Sequence, residues 1–180
     1  GCCCSAAEPC GENAACGCTP ALDDHGPTYE CSVSCACDQS CRYRATQRGA
    51  AVRTEVFRTR SRGWGLRSAE DIEVGMFCLS YNGEVVKRSE AQRRLRKTDL
   101  EGRSNYLLVI AEHAGDTVYK THIDAELVGS VARFINHSCD PNLEMRPVRS
   151  DSMIPTAALF ARRRICVGEE LTFSYGAGVA

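Results

Sequence analysis

Cysteine is the residue type with the clearest chemical meaning in this chain. The sequence has 13 cysteines, and ten of them fall within the first 41 of its 180 residues. Without Cys3, the other nine form three C-x-C pairs and three single positions: Cys2, Cys4, Cys10, Cys16, Cys18, Cys31, Cys35, Cys37 and Cys41. Thiols at C-x-C spacing can chelate one metal ion together, whereas they do not easily form a disulfide with each other.

A zinc–thiolate cluster would explain the number of these cysteines and the scarcity of apolar residues among them. If six thiolates each bind one ion and three bridge two ions, nine cysteines supply the twelve bonds that three tetrahedral Zn²⁺ ions need. Residues 1–41 contain one tyrosine, one leucine and one valine, and no phenylalanine, isoleucine or tryptophan. Metal binding, which contributes about 10 kcal/mol or more per structural zinc, would therefore replace a hydrophobic core.

Two other uses of these cysteines remain open at this point, namely redox chemistry and the disulfide scaffold of a secreted protein. A disulfide scaffold favours an even number of cysteines and a secretory leader. The total here is odd, and no segment with a leader-like pattern is visible. Structural zinc is therefore the favoured interpretation.

Three later segments carry polar and aromatic residues suited to ligand binding. They are RFINHSCDPNL at 133–143, GEELTFSYG at 168–176 and RGWGLR at 62–67. Each also has an ordinary interpretation: a polar loop, an edge strand with core aromatics, and a hairpin turn with a packed tryptophan. Asn136-His137-Ser138 is formally a glycosylation sequon, but zinc–thiolate chemistry indicates a reducing compartment.

The hydrophobic pattern predicts that short strands position these segments. Alternation at Val52, Thr54 and Val56 indicates a half-buried strand. Residues 75–86 predict a hairpin that turns at Asn82-Gly83, and a second pair of strands flanks Gly115-Asp116. Three further short strands follow residue 141. The absence of a βαβ rhythm argues against a Rossmann-type enzyme.

Two helical segments interrupt this β pattern. Ser89 followed by Gln92 has the spacing of a capping box and predicts a helix at about 90–100. The sequence AELVGSVARFIN, residues 125–136, predicts a short helical segment directly before the polar loop. The expected body is thus mostly β with few short helices.

Composition limits the classes of protein to which the chain can belong. Apolar residues make up 43% and charged residues 25%, with a net charge of -1, which is typical of a globular protein. The longest apolar run, residues 106–111, is far shorter than the roughly 20 residues of a membrane-spanning helix. Because acidic and basic residues are interspersed, direct nucleic-acid binding is not indicated.

Taken together and in this order, the motifs resemble the SET domain of histone-lysine methyltransferases of the Suppressor-of-variegation group. The resemblance is carried by GWG, YNGE, NY, RFINHSCDPN and GEELTFSY, and by a cysteine pattern similar to the pre-SET module of that family. It implies a pre-SET zinc-cluster module at 1–48 and a SET catalytic domain at 49–180. The implied fold is a β-clip in which the Asn-His segment and the final tyrosine strand interlock as a pseudoknot.

The resemblance also implies roles for individual residues. Tyr175 matches the catalytic tyrosine, Tyr81 the tyrosine that contacts the target amine, and Phe173 the Phe/Tyr position that limits methylation. The residues that match the S-adenosylmethionine site are Arg62, Gly63, Trp64, Gly65, Tyr106, Arg133, Asn136 and His137. In the family, a C-terminal C-x-C-x4-C tail would join Cys139 around a fourth zinc; residues 177–180 do not contain this tail. A fourth zinc is therefore expected only if the natural protein continues with it.

The function that follows is methyl transfer from S-adenosylmethionine to a lysine of the histone H3 tail, to the di- or trimethyl state. The tail is expected to add as an extended strand at a sheet edge. Chromatin would be the partner, without a membrane, and the nucleus and the chromosome the location. The alternatives are a zinc-stabilised chromatin-binding scaffold with impaired catalysis and a secreted disulfide protein.

Overall fold

The computed structural model describes residues 28–175, which fold mostly into short strands. The strands are β1 (Thr28–Tyr29), β2 (Thr54–Arg58), β3 (Trp64–Ser68), β4 (Phe77–Tyr81), β5 (Gly83–Val86), β6 (Leu107–Ala114), β7 (Thr117–Gly129), β8 (Asn136–His137), β9 (Leu143–Arg149), β10 (Thr156–Ala161) and β11 (Thr172–Phe173). One α-helix, α1 (Arg88–Leu100), follows β5, and 3-10 turns lie at Arg42–Arg44, Thr46–Arg48 and Val131–Phe134. The prediction of a mostly β fold with few short helices is confirmed.

Within the described residues, three small sheets enclose the core. The largest has the order β4-β10-β9-β11-β8, with β1 added in parallel to β9; β2 pairs with β3, and β7 lies between β5 and β6. The largest fully buried side chains come from all three regions, and include Leu66, Ile110, Leu143 and Leu159. Burial of aliphatic side chains of this size contributes roughly 1.5–3 kcal/mol each. The sheets are thereby fixed to one another.

The last strand is inserted between two strands that are neighbours in sequence. β11 pairs in parallel with β8 on one side and with the start of β9 on the other. Residues 138–142, which join β8 to β9, must therefore pass across β11. This is the interlocking that the pseudoknot prediction requires.

Asn142 fastens this crossing from inside the protein. Its side chain is buried, and its Nδ2 donates to the backbone oxygen of Glu170 at 2.8 Å and to the Glu169 carboxylate at 3.0 Å. Its Oδ1 accepts the backbone N–H of Thr172 at 2.8 Å. Because the buried Asn142 amide makes all these hydrogen bonds, it holds β11 against the 138–142 segment that crosses it.

The predicted helix exists, but its predicted capping box does not. Helix α1 begins at Arg88, and its N-cap residue, Lys87, makes no side-chain capping bond. Arg94 instead attaches the helix to the sheet, because its guanidinium contacts Glu84 at 2.7 Å and the buried Asp124 at 2.8 Å. In residues 28–175, no helix has the length and apolar character needed to cross a membrane.

Of the two predicted hairpins, the one around Gly115 is confirmed and the one at Asn82-Gly83 is wrong. Strands β6 and β7 pair in register up to a tight turn in which Gly115 has a φ of +58°. In contrast, β4 pairs with β10 and β5 with β7, so that Asn82 and Gly83 lead from one sheet to another. A Cβ on Gly83 would lie 2.5 Å from the backbone oxygen of Asp124, so the glycine permits close strand approach instead of a turn.

The predicted helical segment at 125–136 is also largely wrong. Strand β7 continues through Gly129, and only Val131–Phe134 form a 3-10 turn. Strand β5 explains the difference, because its residue Gly83 pairs with Gly129 after a register shift and draws the segment into the sheet. Tertiary pairing thus overrides the local pattern.

Candidate active site

Three of the seven cysteines in the described part of the chain form a compact group, called here the thiolate cluster: Cys31, Cys37 and Cys41. Their Sγ atoms all lie within 4.8 Å of one another, and those of Cys31 and Cys41 are 4.0 Å apart. Two thiolates on one tetrahedral zinc are about 3.8 Å apart, whereas a disulfide needs about 2.05 Å. The spacing therefore fits a shared metal ion.

Cys35 and Arg44 complete the surroundings of the thiolate cluster. Cys35 packs against the same group, and its Sγ accepts the backbone N–H of Ser32 at 3.2 Å. The buried Arg44 guanidinium donates to the backbone oxygens of Cys31 at 3.2 Å and Ser32 at 2.6 Å. It brings a positive charge to a group that would be anionic when it binds metal. The other predicted ligands, Cys2, Cys4, Cys10, Cys16 and Cys18, lie outside the described residues.

A cavity of about 180 Å³ lies where β4, β6 and β11 meet. It is called here the aromatic cavity, and its lining residues are Tyr81, Asn105, Tyr106, Leu107, Leu108, Arg133, Phe173 and Tyr175. The ring centroids of Phe173 and Tyr175 are 4.9 Å apart, and those of Tyr81 and Phe173 are 6.5 Å apart in an edge-on arrangement. The structure thus brings the three predicted catalytic residues together.

Two of the three phenol groups that line this cavity are held by backbone carbonyl groups. Tyr175 donates its hydroxyl to the backbone oxygen of Ile135 at 2.8 Å, and Tyr81 donates to that of Tyr106 at 2.7 Å. Burial raises the pKa of both phenols above the ordinary value of tyrosine. Both side chains are therefore neutral at pH 7 and act as oriented hydrogen-bonding groups.

Arg133 places a cation at the wall of the aromatic cavity. Its guanidinium carbon lies 4.1 Å from the ring centroid of Tyr106, a close cation–π contact. Its Nε is buried and has no hydrogen-bond partner among the described residues. Tyr106 and Arg133, both predicted to bind cofactor, therefore border the predicted catalytic residues.

Beside the cavity, a hydrogen-bonded network joins the other predicted cofactor residues. The Arg62 guanidinium donates to the backbone oxygen of His137 and to the Glu170 carboxylate, both at 2.9 Å. The Asn136 Nδ2 donates to the same carboxylate at 2.9 Å and to the backbone oxygen of Trp64 at 3.2 Å. Three segments far apart in sequence thus converge here.

The network reaches the aromatic cavity through His137. Its Nδ1 accepts the backbone N–H of Tyr175 at 3.2 Å, and the two rings lie 5.3 Å apart. Cys139 is exposed, with its Sγ 3.6 Å from the His137 Nε2. In the part of the chain that the structure describes, Cys139 belongs to no group of three potential metal ligands.

The two glycines of the RGWG segment are required for different structural reasons. Gly63 has a φ of +73°, a backbone conformation that other residues rarely adopt. Gly65 makes room for its neighbours, because a Cβ there would lie 2.8 Å from Thr59 and 2.9 Å from the Phe57 ring. The β2–β3 hairpin therefore needs both glycines, independently of any ligand.

Sequence reasoning did not single out Glu170, Asn142, Asn105, Leu107 or Leu108. Glu170 and Asn142 lie within two of the motifs described above. The motifs alone do not show which of their polar side chains point into the protein. Leu107 and Leu108 are ordinary strand residues whose position at the cavity follows only from the pairing of β6 with β7.

Comparisons with known proteins agree with this arrangement. The human histone-lysine N-methyltransferase SETMAR is 45% identical over 150 residues, which are 83% of this chain and 22% of that protein. The crystal structure of its methyltransferase domain has a TM-score of 0.87 and 41% identity, and the match covers 99% of this chain and 68% of that one. The chain spans about half the length of the mouse, bovine and rat SETMAR proteins.

Another relative was solved together with ligands. The structure of KRYPTONITE in complex with mCHH DNA, an H3(1–15) peptide and SAH has a TM-score of 0.71 and 31% identity, and the match covers 87% of this chain and 30% of that one. The family described as SET domain matches residues 63–176, well over half of the sequence. The chain therefore belongs to the SET domain family.

Proposed function

We propose that this chain is the catalytic part of a histone-lysine N-methyltransferase that uses S-adenosylmethionine and acts on the histone H3 tail. The observation that carries the proposal is the aromatic cavity, in which two neutral phenols and a phenylalanine ring lie next to the Arg62–Asn136–Glu170 network. The relatives are named as histone-lysine methyltransferases, and one was solved with SAH and an H3 peptide. The nucleus and the chromosome are the locations that this activity requires.

The reaction demands a neutral lysine amine. Lysine has an ordinary pKa of about 10.4, and its ammonium form has no lone pair with which to attack. A narrow cavity lined by Leu107, Leu108 and aromatic rings disfavours the charged form through desolvation. S-adenosylmethionine, when bound, supplies an electrophilic methyl group on a positively charged sulfonium.

The chain's own residues then orient the amine. The hydroxyls of Tyr175 and Tyr81 each donate to a backbone carbonyl oxygen, which fixes their direction. Each hydroxyl oxygen can still accept a hydrogen bond from an N–H of the substrate. Because both phenols are already placed before the substrate arrives, little reorganisation is needed during the reaction. Neither residue serves as a base in this proposal, because a phenol is protonated at pH 7 and burial disfavours the phenolate further.

The residues next to the cavity fit the polar groups of S-adenosylmethionine. Both hydrogen bonds that Asn136 makes within the described residues use its Nδ2, which leaves its Oδ1 for a ligand. The buried Arg133 Nε lacks an acceptor among the same residues. The cofactor carries an ammonium, a carboxylate and an adenine. These groups include a hydrogen-bond donor for the Asn136 oxygen and an acceptor for the Arg133 N–H. We assign Arg62, Gly63, Trp64, Gly65, Tyr106, Arg133, Asn136 and His137 to this site.

The same proposal divides the chain into a zinc-binding module and a catalytic domain. Residues 1–48 would form a module that holds three zinc ions and supports the catalytic domain at 49–180. The thiolate cluster supports zinc in this module, as its sulfur spacing suits one tetrahedral ion. Cys139 would join a fourth zinc only with a C-terminal tail.

Cofactor binding tests the proposal directly. The purified protein is expected to bind S-adenosylhomocysteine in calorimetry and to transfer labelled methyl groups to an H3 peptide. Asn136→Ala should abolish this binding without changing the zinc content, because the amide lies in the network and not in the thiolate cluster. Binding without methyl transfer, both by the chain alone and by the chain extended with a C-x-C-x4-C tail, would instead favour the catalytically impaired scaffold. No binding by the wild type would refute the proposal.

The product state depends on the space beside Phe173. A methylated amine must turn to present its lone pair again, and a phenyl ring leaves room without a hydroxyl that retains water. We therefore expect a di- or trimethylated product. Phe173→Tyr should shift it towards monomethyl-lysine, as followed by mass spectrometry of the peptide at long reaction times. Tyr119→Phe, which changes an exposed hydroxyl outside the cavity, is the control, and an unchanged product with Phe173→Tyr would exclude this position as the limit.

A further inference from the structure

Glu170 is the residue through which the three segments of the cofactor site are joined. One oxygen of its carboxylate accepts from Asn136 and the other from Arg62, both at 2.9 Å. Arg62 in turn binds the backbone oxygen of His137. None of the ligand-binding roles proposed above uses this carboxylate.

The backbone of Glu170 is itself fixed. Its carbonyl oxygen accepts from the buried Asn142 amide at 2.8 Å, and an isolated β-bridge pairs it with Arg67. The Glu170 side chain is only 24% exposed, whereas that of Arg62 is 46% exposed. The carboxylate is therefore the more firmly placed partner and can impose its geometry on the others.

A carboxylate dictates the orientation of the Asn136 amide. Ionised carboxylates only accept hydrogen bonds, whereas an amide has an accepting end and a donating end. The Asn136 Nδ2 therefore turns towards Glu170, and its second hydrogen goes to the backbone oxygen of Trp64. This leaves Oδ1 as the end available to a ligand.

We propose that Glu170 is a positioning residue that fixes the Asn136 amide and the Arg62 guanidinium for cofactor binding. This inference rests on the proposed function, since it concerns the same cofactor site. Glu170 acts through Asn136 and Arg62 and does not itself contact the reacting groups. Its contribution is the acceptor chemistry of both carboxylate oxygens, not the volume of its side chain.

Two substitutions separate acceptor chemistry from volume. Glu170→Gln keeps the shape but turns an NH₂ group towards either Arg62 or Asn136, both of which are donors. Glu170→Asp keeps the acceptors and the charge but shortens the side chain. We expect the Kd of S-adenosylhomocysteine to rise about 10- to 100-fold in Glu170→Gln, the loss typical of a charged hydrogen-bond partner, and less in Glu170→Asp.

Glu70→Gln is the matched control. Glu70 also accepts with both oxygens from one arginine, Arg53, at 2.9 Å each, and its side chain is 32% exposed. It lies away from the aromatic cavity and should leave the Kd unchanged. In turnover, Glu170→Gln should raise the KM for S-adenosylmethionine while the KM for the peptide stays within twofold.

Three results would overturn the inference. The first is a Glu170→Gln variant that binds like the wild type while Glu170→Asp binds worse, because volume would then decide. The second is equal weakening by Glu70→Gln, and the third is loss of folding in both Glu170 variants, which would make the role structural. If the wild type itself does not bind S-adenosylhomocysteine, the proposed function fails instead.

Discussion

Tyr175→Phe is expected to lower kcat for methyl transfer by about 100- to 1,000-fold, the loss typical of one preorganised hydrogen-bonding group at a reacting centre. The phenol hydroxyl, fixed by the backbone oxygen of Ile135, lies at the wall of the aromatic cavity. Phenylalanine keeps the ring contacts with Phe173 and His137 but removes the oxygen that orients the amine. Initial rates with labelled S-adenosylmethionine and an H3 peptide measure the effect.

The control for this substitution is Tyr119→Phe. Tyr119 lies on β7 outside the aromatic cavity and is 58% exposed, so the loss of its hydroxyl should leave kcat unchanged. The melting temperature and the Kd of S-adenosylhomocysteine should stay close to those of the wild type in both variants. A Tyr175→Phe enzyme with more than half of the wild-type kcat would remove Tyr175 from the mechanism.

Zinc removal should have the largest effect on stability. We expect elemental analysis to give about three zinc ions per chain, and chelation to unfold the module at 1–48. The reason is that each structural zinc contributes about 10 kcal/mol or more, whereas this module has few apolar side chains to bury. Circular dichroism and limited proteolysis during titration with a chelator follow the loss.

Single cysteine variants show whether the thiolate cluster is responsible. Cys37→Ser should lower the zinc content and expose the module to proteolysis, because its Sγ lies within 4.8 Å of those of Cys31 and Cys41. Cys166→Ser is the matched control, since Cys166 is an exposed cysteine of the catalytic body. Fewer than one zinc per chain, together with disulfides found by mass spectrometry, would contradict the zinc assignment.

The features that depend on local composition could be predicted from the sequence. The cysteine spacing indicated a metal site, because chelation requires only that a few thiols lie close along the chain. The hairpin around Gly115 also followed from a local turn signal. The helix at 90–100 was predicted correctly, although the capping box that indicated it does not form. The motif order identified the family, since each motif is short and continuous.

Features that depend on which strands pair could not be predicted in this way. Asn82-Gly83 has a strong hairpin signal, yet β4 and β5 join different sheets, and the close approach of Asp124 explains the glycine. Residues 125–129 have helical character but are drawn into β7 by pairing with β5. In both places, long-range strand pairing outweighs the local preference of the segment.

The sequence by itself determined the family, a group of cysteines that could hold a metal ion, and the identity of the aromatic residues that line the cavity. The tertiary structure alone decided how they are held. Glu170 and Asn142 are ordinary polar residues in sequence, and their importance appears only when β11 is inserted between β8 and β9. That insertion brings the Glu170 carboxylate to Arg62 and Asn136, which are 108 and 34 positions away along the chain. A hydrogen bond acts over about 3 Å of space regardless of sequence separation, so only the folded chain reveals this network.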